Sequence, residues 1–157
     1  MTDKESVKNT IAALVEKYNR VATQKVINKY NEEMTKKDFI LPLFKALGWN
    51  TEDSREVAAE EKISKGRADY SFRINGIPKF FLEAKALKEN LDGWRIENGK
   101  KVTFSEQAIN YAWHKGCTWA VLTDFESVRV YNAEIKAADT RQSLFKSIAC
   151  QEYISRF

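Results

Sequence analysis

Residues 66 to 86 read GRADYSFRINGIPKFFLEAKA, and the Asn75-Gly76 pair in their middle commits the two flanking alternating runs to a β-hairpin. The length of the loop decides which side chains share a face. With a two-residue Asn75-Gly76 loop, Ile74 faces Ile77 and Asp69 faces Leu82, which sends Asp69 to the side opposite Glu83. A three-residue loop, Ile74-Asn75-Gly76, with Gly76 left-handed in a G1 bulge, gives another division. Asp69, Ser71 and Arg73 then lie on one face with Lys79, Phe81, Glu83 and Lys85, and Tyr70, Phe72 and Ile74 on the other with Phe80, Leu82 and Ala84. This second register separates polar from apolar far better, and register follows the buried face, so the three-residue loop is the expectation.

That face carries a chemistry. A hard cation such as Mg²⁺ needs converging oxygen ligands, which Asp69 and Glu83 would supply, and a nearby ammonium can orient an attacking water and offset charge building on a phosphate. Glu83 and Lys85 are two apart on a strand and project to one side. Glu-x-Lys also occurs at Glu60 to Lys62 and Glu134 to Lys136, but only the Phe80-Phe81-Leu82 run would carry its pair to the edge of a rigid sheet. Singly, Asp69 reads as a strand-end surface carboxylate and Glu83 with Lys85 as a surface ion pair of little energetic value. Their joint placement argues for a metal-dependent phosphodiesterase site.

Asp69, Glu83 and Lys85 resemble the PD-(D/E)xK nuclease pattern, with Ala68 where that pattern has Pro. The wider text, Asn31-Glu32-Glu33-Met34-Thr35, Leu41-Pro42-Leu43 and Leu47-Gly48-Trp49, resembles the N-terminal nuclease domain of type I restriction subunits and its counterpart in single-chain type IIG restriction-modification enzymes. The resemblance spans about Asn31 to Tyr131. It implies a restriction-endonuclease-like α/β fold, a mixed central sheet flanked by helices. It further implies a Mg²⁺-dependent DNA endonuclease with Mn²⁺ able to substitute, and metal ligation by Asp69, Glu83 and the Ala84 carbonyl, with Lys85 acting on the water. Glu32 joins the metal site by its position relative to Thr35, although an acid in a first helical turn also stabilises the helix dipole without any metal. Gln107 and Tyr111 match a Gln-x-x-x-Tyr motif; four apart on a helix, they would share a face open to a phosphate backbone or to Lys85, or else simply pack the helix. The partners implied are double-stranded DNA and, in the same polypeptide or a partner subunit, methyltransferase and target-recognition modules.

At 157 residues and 43 % hydrophobic, the chain suits one domain with a real core and leaves no room for a second catalytic one. A net charge of +4 leans towards a polyanionic partner. Cys117 and Cys150 lack metal-ligand spacing, the single His114 argues against a His-based metal site or a Ser-His triad, and no run is long enough to span a membrane. The expectation is a cytoplasmic protein with no membrane association.

The order of elements is predicted as a helical segment over 1–30 opened by a Thr2-x-x-Glu5 capping box, and a catalytic core over 31–132. A C-terminal helical segment over 133–157 would bear Leu144, Phe145 and Ile148. Within the core, Asn31 caps a helix kinked at Pro42, and strands follow at about 56 to 63, 67 to 74 and 78 to 86. Lys88 to Lys101 reads as a long polar excursion carrying Trp94, a candidate for base stacking; then come a helix near 104 to 115 and strands at about 118 to 123 and 127 to 132. Trp49, Trp113 and Trp119 are expected in the core, and Lys36, Lys37, Lys100 and Lys101 on phosphates or simply in solvent. Two alternatives stay open: a freestanding repair or junction-resolving nuclease, and a non-catalytic DNA-binding module.

Overall fold

The computed structural model describes residues 3–59, 68–135 and 139–156. Its helices are α1 (Lys4–Thr23), α2 (Glu32–Thr35), α3 (Leu41–Ala46) and α4 (Phe104–His114). Its strands are β1 (Val57–Ala59), β2 (Tyr70–Ile74), β3 (Ile77–Ala84), β4 (Trp94–Glu97), β5 (Lys100–Thr103), β6 (Trp119–Thr123), β7 (Ser127–Asn132) and β8 (Leu144–Ala149). Six strands form one sheet in the order β1-β2-β3-β6-β7-β8, in which β3 and β6 run parallel and all other neighbours antiparallel. A parallel pair needs a crossover, and α4 supplies it. The expected mixed α/β architecture is present.

Strand alternation divides the core in two. Phe72, Leu82, Ala84 and Val121 face a cluster built with α1 and α3, including Ile11, Phe39, Leu43 and Phe44. There Phe72 stacks on Phe80 at 4.4 Å between ring centroids, and Trp49 meets both edge-on. On the opposite face Phe81, Ala120 and Leu122 pack under Ala108, Ile109, Tyr111 and Ala112 of α4. A reciprocal capping box, Thr103 with Glu106, starts α4 at the end of β5.

The central hairpin differs from expectation in its turn and agrees in its faces. Ile74 pairs with Ile77 across a two-residue turn in which Asn75 and Gly76 both have positive φ, the type I′ geometry that Asn-Gly favours. Arg73 then pairs with Pro78 but Phe72 with Phe80, so Lys79 is an extra residue on β3, and this bulge shifts the register by one. Tyr70 consequently lies opposite Leu82 and Ser71 opposite Phe81, which restores the face division that the hydrophobic pattern demanded.

Asn31 caps α2 through its side chain as expected, accepting from the Met34 N–H at 2.8 Å. Pro42 is accommodated without a simple kink: Lys36–Ile40 forms a π turn, and the Asp38 carbonyl, four residues before the proline, accepts from Lys17 Nζ at 3.2 Å. Three expectations fail. The C-terminal segment is not helical: Leu144–Ala149 is an edge strand on β7, flanked by 3₁₀ turns. The polar excursion contains the β4–β5 hairpin, turning at Asn98-Gly99. Trp113 is exposed, whereas Trp119 is half-buried against Phe145. The Thr2 capping position, the end of the expected strand over 56–63, the Glu60 to Lys62 pair and Lys136 lie outside the described residues. Among the described residues, no helix is long and apolar enough to cross a membrane.

Candidate metal centre

Asp69 stands just before β2, and its N–H donates to the Leu82 carbonyl at 2.8 Å, so the pairing with β3 continues to it. Its carboxylate reaches across the hairpin, Oδ2 accepting from the Ala84 N–H at 2.7 Å. Glu83 and Lys85 follow on the same face, and Lys85 stays in register because its N–H donates to the Thr123 carbonyl at 2.8 Å. These groups were expected at the edge of the sheet, facing solvent. They lie instead at the end of an interior strand, with Asp69 5 %, Glu83 0 % and Lys85 4 % exposed. Lys85 Nζ sits 2.9 Å from Glu83 Oε1 and 4.0 Å from the centre of the Phe104 ring, so its charge is matched by a carboxylate and an aromatic face where water is scarce.

Glu32 arrives from α2. Thr35 positions that helix: its hydroxyl donates to the Asn31 carbonyl at 2.8 Å and accepts from the Leu87 N–H at 3.1 Å, tying the turn to the segment just after β3. One carboxylate oxygen from each of Glu32, Asp69 and Glu83 then lies within 4.8 Å of the others. An octahedral Mg²⁺ with bonds of about 2.1 Å holds adjacent oxygens about 3.0 Å and opposite ones about 4.2 Å apart, so the three carboxylates would draw in a little around such an ion. The donor set is oxygen only, which suits Mg²⁺ or Mn²⁺ and not a soft metal. Both cysteines are buried, and burial pushes their thiols up, Cys150 to about 11, so neither is a ready thiolate.

The sequence did not reveal the part played by Lys36. Its ammonium is 2.7 Å from Asp69 Oδ1, 2.8 Å from Glu33 Oε1 and 3.7 Å from Glu32 Oε1, with the side chain 9 % exposed. Burial opposes its charge, yet the hydrogen bonds it donates to Asp69 and Glu33 outweigh that and hold the ammonium above the usual lysine range. The helical spacings Glu32-to-Lys36 and Glu33-to-Lys36 were visible signals of this pairing.

Gln107 and Tyr111 share a face of α4 as expected, but that face is turned inward. Gln107 is fully buried and donates from Nε2 to Glu97 Oε1 of β4 at 2.9 Å; among the described residues its Oε1 has no partner. Tyr111 packs edge-on against Phe81 with ring centroids 5.0 Å apart. Through Gln107 the helix grips the β4–β5 hairpin, whose other face exposes Trp94 and Ile96, with Lys101 Nζ 4.7 Å above the Trp94 ring.

Residues 55–138 match the family model described as the type I restriction enzyme R protein N terminus. The chain is also 30 % identical over 147 residues to the type II restriction enzyme and methyltransferase RM.Eco57I of Escherichia coli, covering 85 % of this chain and 14 % of that protein's length. No solved structure matches it. The matched stretch contains the hairpin, α4 and Asp69, Glu83, Lys85, Gln107 and Tyr111, while Glu32 precedes it. With more than half of its length in that match and a mixed sheet organised around the hairpin, the chain belongs to the type I restriction enzyme R protein N-terminus family and has a restriction-endonuclease-like fold.

Proposed function

We propose that this chain is the nuclease domain of a restriction enzyme, cleaving double-stranded DNA with Mg²⁺, or with Mn²⁺ in its place, in the cytoplasm. The observation that carries the reading is the convergence of Glu32, Asp69 and Glu83 oxygens within 4.8 Å beside the Lys85 ammonium, in a chain of this family. Asp69 and Glu83 would hold the cation with the Ala84 carbonyl, and Glu32 would complete the set from α2. A bound Mg²⁺ supplies Lewis-acid polarisation of the scissile phosphate and acidifies its water. Lys85 orients the attacking water and places positive charge where the phosphate gains negative charge; the Glu83 carboxylate and the Phe104 ring fix its ammonium in place. Ala84 contributes in a second way, since its N–H locks the Asp69 carboxylate.

The β4–β5 hairpin is the DNA-facing arm in this reading. It presents Trp94 and Ile96 next to Lys101, an apolar surface with positive charge suited to bases and phosphates. Gln107 positions that arm through Glu97, and Tyr111 supports β3 from behind. Methyltransferase and target recognition belong to other modules of the same polypeptide or to a partner subunit; the E. coli relative, named as both restriction enzyme and methyltransferase, supports the first arrangement.

The test is plasmid cleavage by the full enzyme carrying Asp69→Ala, Glu83→Ala or Lys85→Ala. Each is expected to lower the rate by about a hundredfold or more. Normal nicking by the Lys85→Ala enzyme would remove Lys85 from the mechanism. Preference for branched over linear duplex would favour a repair or junction-resolving nuclease, and DNA binding without divalent-cation binding would favour a non-catalytic module.

A further inference from the structure

We infer that Lys36 is a resident counter-cation of the carboxylate cluster, and that the divalent metal enters by displacing its ammonium towards Glu33. The inference rests on the metal-site reading above and concerns how that site is loaded. Both oxygens of Asp69 are engaged: Oδ2 accepts from the Ala84 N–H at 2.7 Å, and Oδ1 accepts from Lys36 at 2.7 Å. Oδ1 is therefore the oxygen on which a metal and the ammonium compete. The same ammonium lies 3.7 Å from Glu32, so it occupies space between two of the three candidate ligands. A divalent ion bound there would stand within a few ångströms of a buried like charge, in surroundings that screen poorly.

The geometry also supplies a way out. Glu33 already holds the ammonium at 2.8 Å, and its own side chain is 80 % exposed, so the pair can swing outward together without breaking. Lys36 is the first residue of the π turn, where the local helix winding re-aims side chains. Without Lys36, the buried Asp69 carboxylate would lose the ammonium that now answers its charge. Lys36 thus stabilises the ion-free fold and weakens metal binding by the same contact.

Two measurements on the 157-residue chain test this. Calorimetric titration with Mn²⁺ should show the Lys36→Gln variant binding about tenfold or more tightly than the wild type, as expected when a competing charge is removed, while its metal-free melting temperature falls. Reductive methylation of the wild type, read by mass spectrometry, should find Lys36 protected without Mn²⁺ and modified when Mn²⁺ is present. The labelling needs no variant and therefore decides the matter even if Lys36→Gln fails to fold. Unchanged or weaker Mn²⁺ binding in a folded Lys36→Gln variant, or Lys36 labelling indifferent to bound Mn²⁺, would overturn the inference while leaving the metal site standing. If neither protein binds Mn²⁺, the metal-site reading falls and this one with it.

Discussion

Along β3, Phe80, Leu82 and Ala84 point into aromatic and aliphatic packing with α1 and α3, while Phe81, Glu83 and Lys85 point towards α4, where charge and hydrogen bonding share the space with apolar rings. The two faces belong to one strand and differ in what they contribute. Stacked Phe72 and Phe80, with Phe44 beside them, remove apolar surface from water and bring no polar side-chain atom to satisfy. The α4 face buries Asp69, Glu83, Lys85 and Gln107, whose desolvation is only partly repaid by their pairing. The apolar side thus does most to hold the fold, and the α4 side, where the proposed site lies, carries its charges at some cost in stability.

The sharpest way to break that division is to exchange the effects. Phe72→Ala should lose about 3–5 kcal/mol of stability, read by denaturant unfolding, with Mn²⁺ affinity unchanged in the folded fraction. A smaller loss would mean that the apolar face is not the main support. On the other face, Lys85→Met alone should cost about 3–5 kcal/mol, because Glu83 keeps a buried charge. The double variant Glu83→Leu/Lys85→Met should recover that loss and end between neutral and about 4 kcal/mol more stable than the wild type, with no metal binding. A double variant as unstable as the single would show that the ion pair is structural and not a concession to function.

A fourth variant probes the turn between β6 and β7. Burial pushes the Asp124 carboxyl up from 3.8 to about 6, although the Ser127 N–H donates to it at 3.0 Å. The folded protein therefore binds this proton more tightly than the unfolded chain does, and stability is lost as pH rises from about 4 to about 6. Asp124→Asn keeps the acceptor for Ser127 and should remove on the order of 2 kcal/mol of that loss above pH 6. Parallel stability profiles for the two proteins would contradict the assignment. The smallest effect is expected at the hairpin contact, where Gln107→Ala and Glu97→Ala should each cost about 1 kcal/mol and show coupling in a double-mutant cycle. Strict additivity would mean that the contact holds nothing in place.

The hairpin's face division was legible because alternation reports burial directly. Its turn was not, because a loop bulge and a strand bulge at Lys79 give the same parity and differ only in where the extra residue sits. The burial of Asp69, Glu83 and Lys85 was also hidden: charged residues read as exposed unless their partners are known, and Lys36 comes from a distant helix. The C-terminal strand was misread as helix because Leu144, Phe145 and Ile148 suit a helical stripe. A bulge at the β7–β8 pairing, between Val130 and Tyr131, breaks the alternation that would have marked a strand. The β4–β5 hairpin carried its Asn98-Gly99 signal openly, and Trp94 and Ile96 alternate with charged residues on β4, but its four-residue strands are half exposed and β5 opens on two lysines, so the stretch read as a polar excursion.

The central claim is that Glu32, Asp69 and Glu83 share one divalent cation. Anomalous diffraction from crystals of the chain grown with Mn²⁺ tests it most directly. A single strong peak is expected in bonding contact with Asp69 and Glu83 and on the Glu32 side of them, and it should disappear in Glu83→Gln. Ordered carboxylates with no peak between them, or a peak that persists in Glu83→Gln, would contradict it.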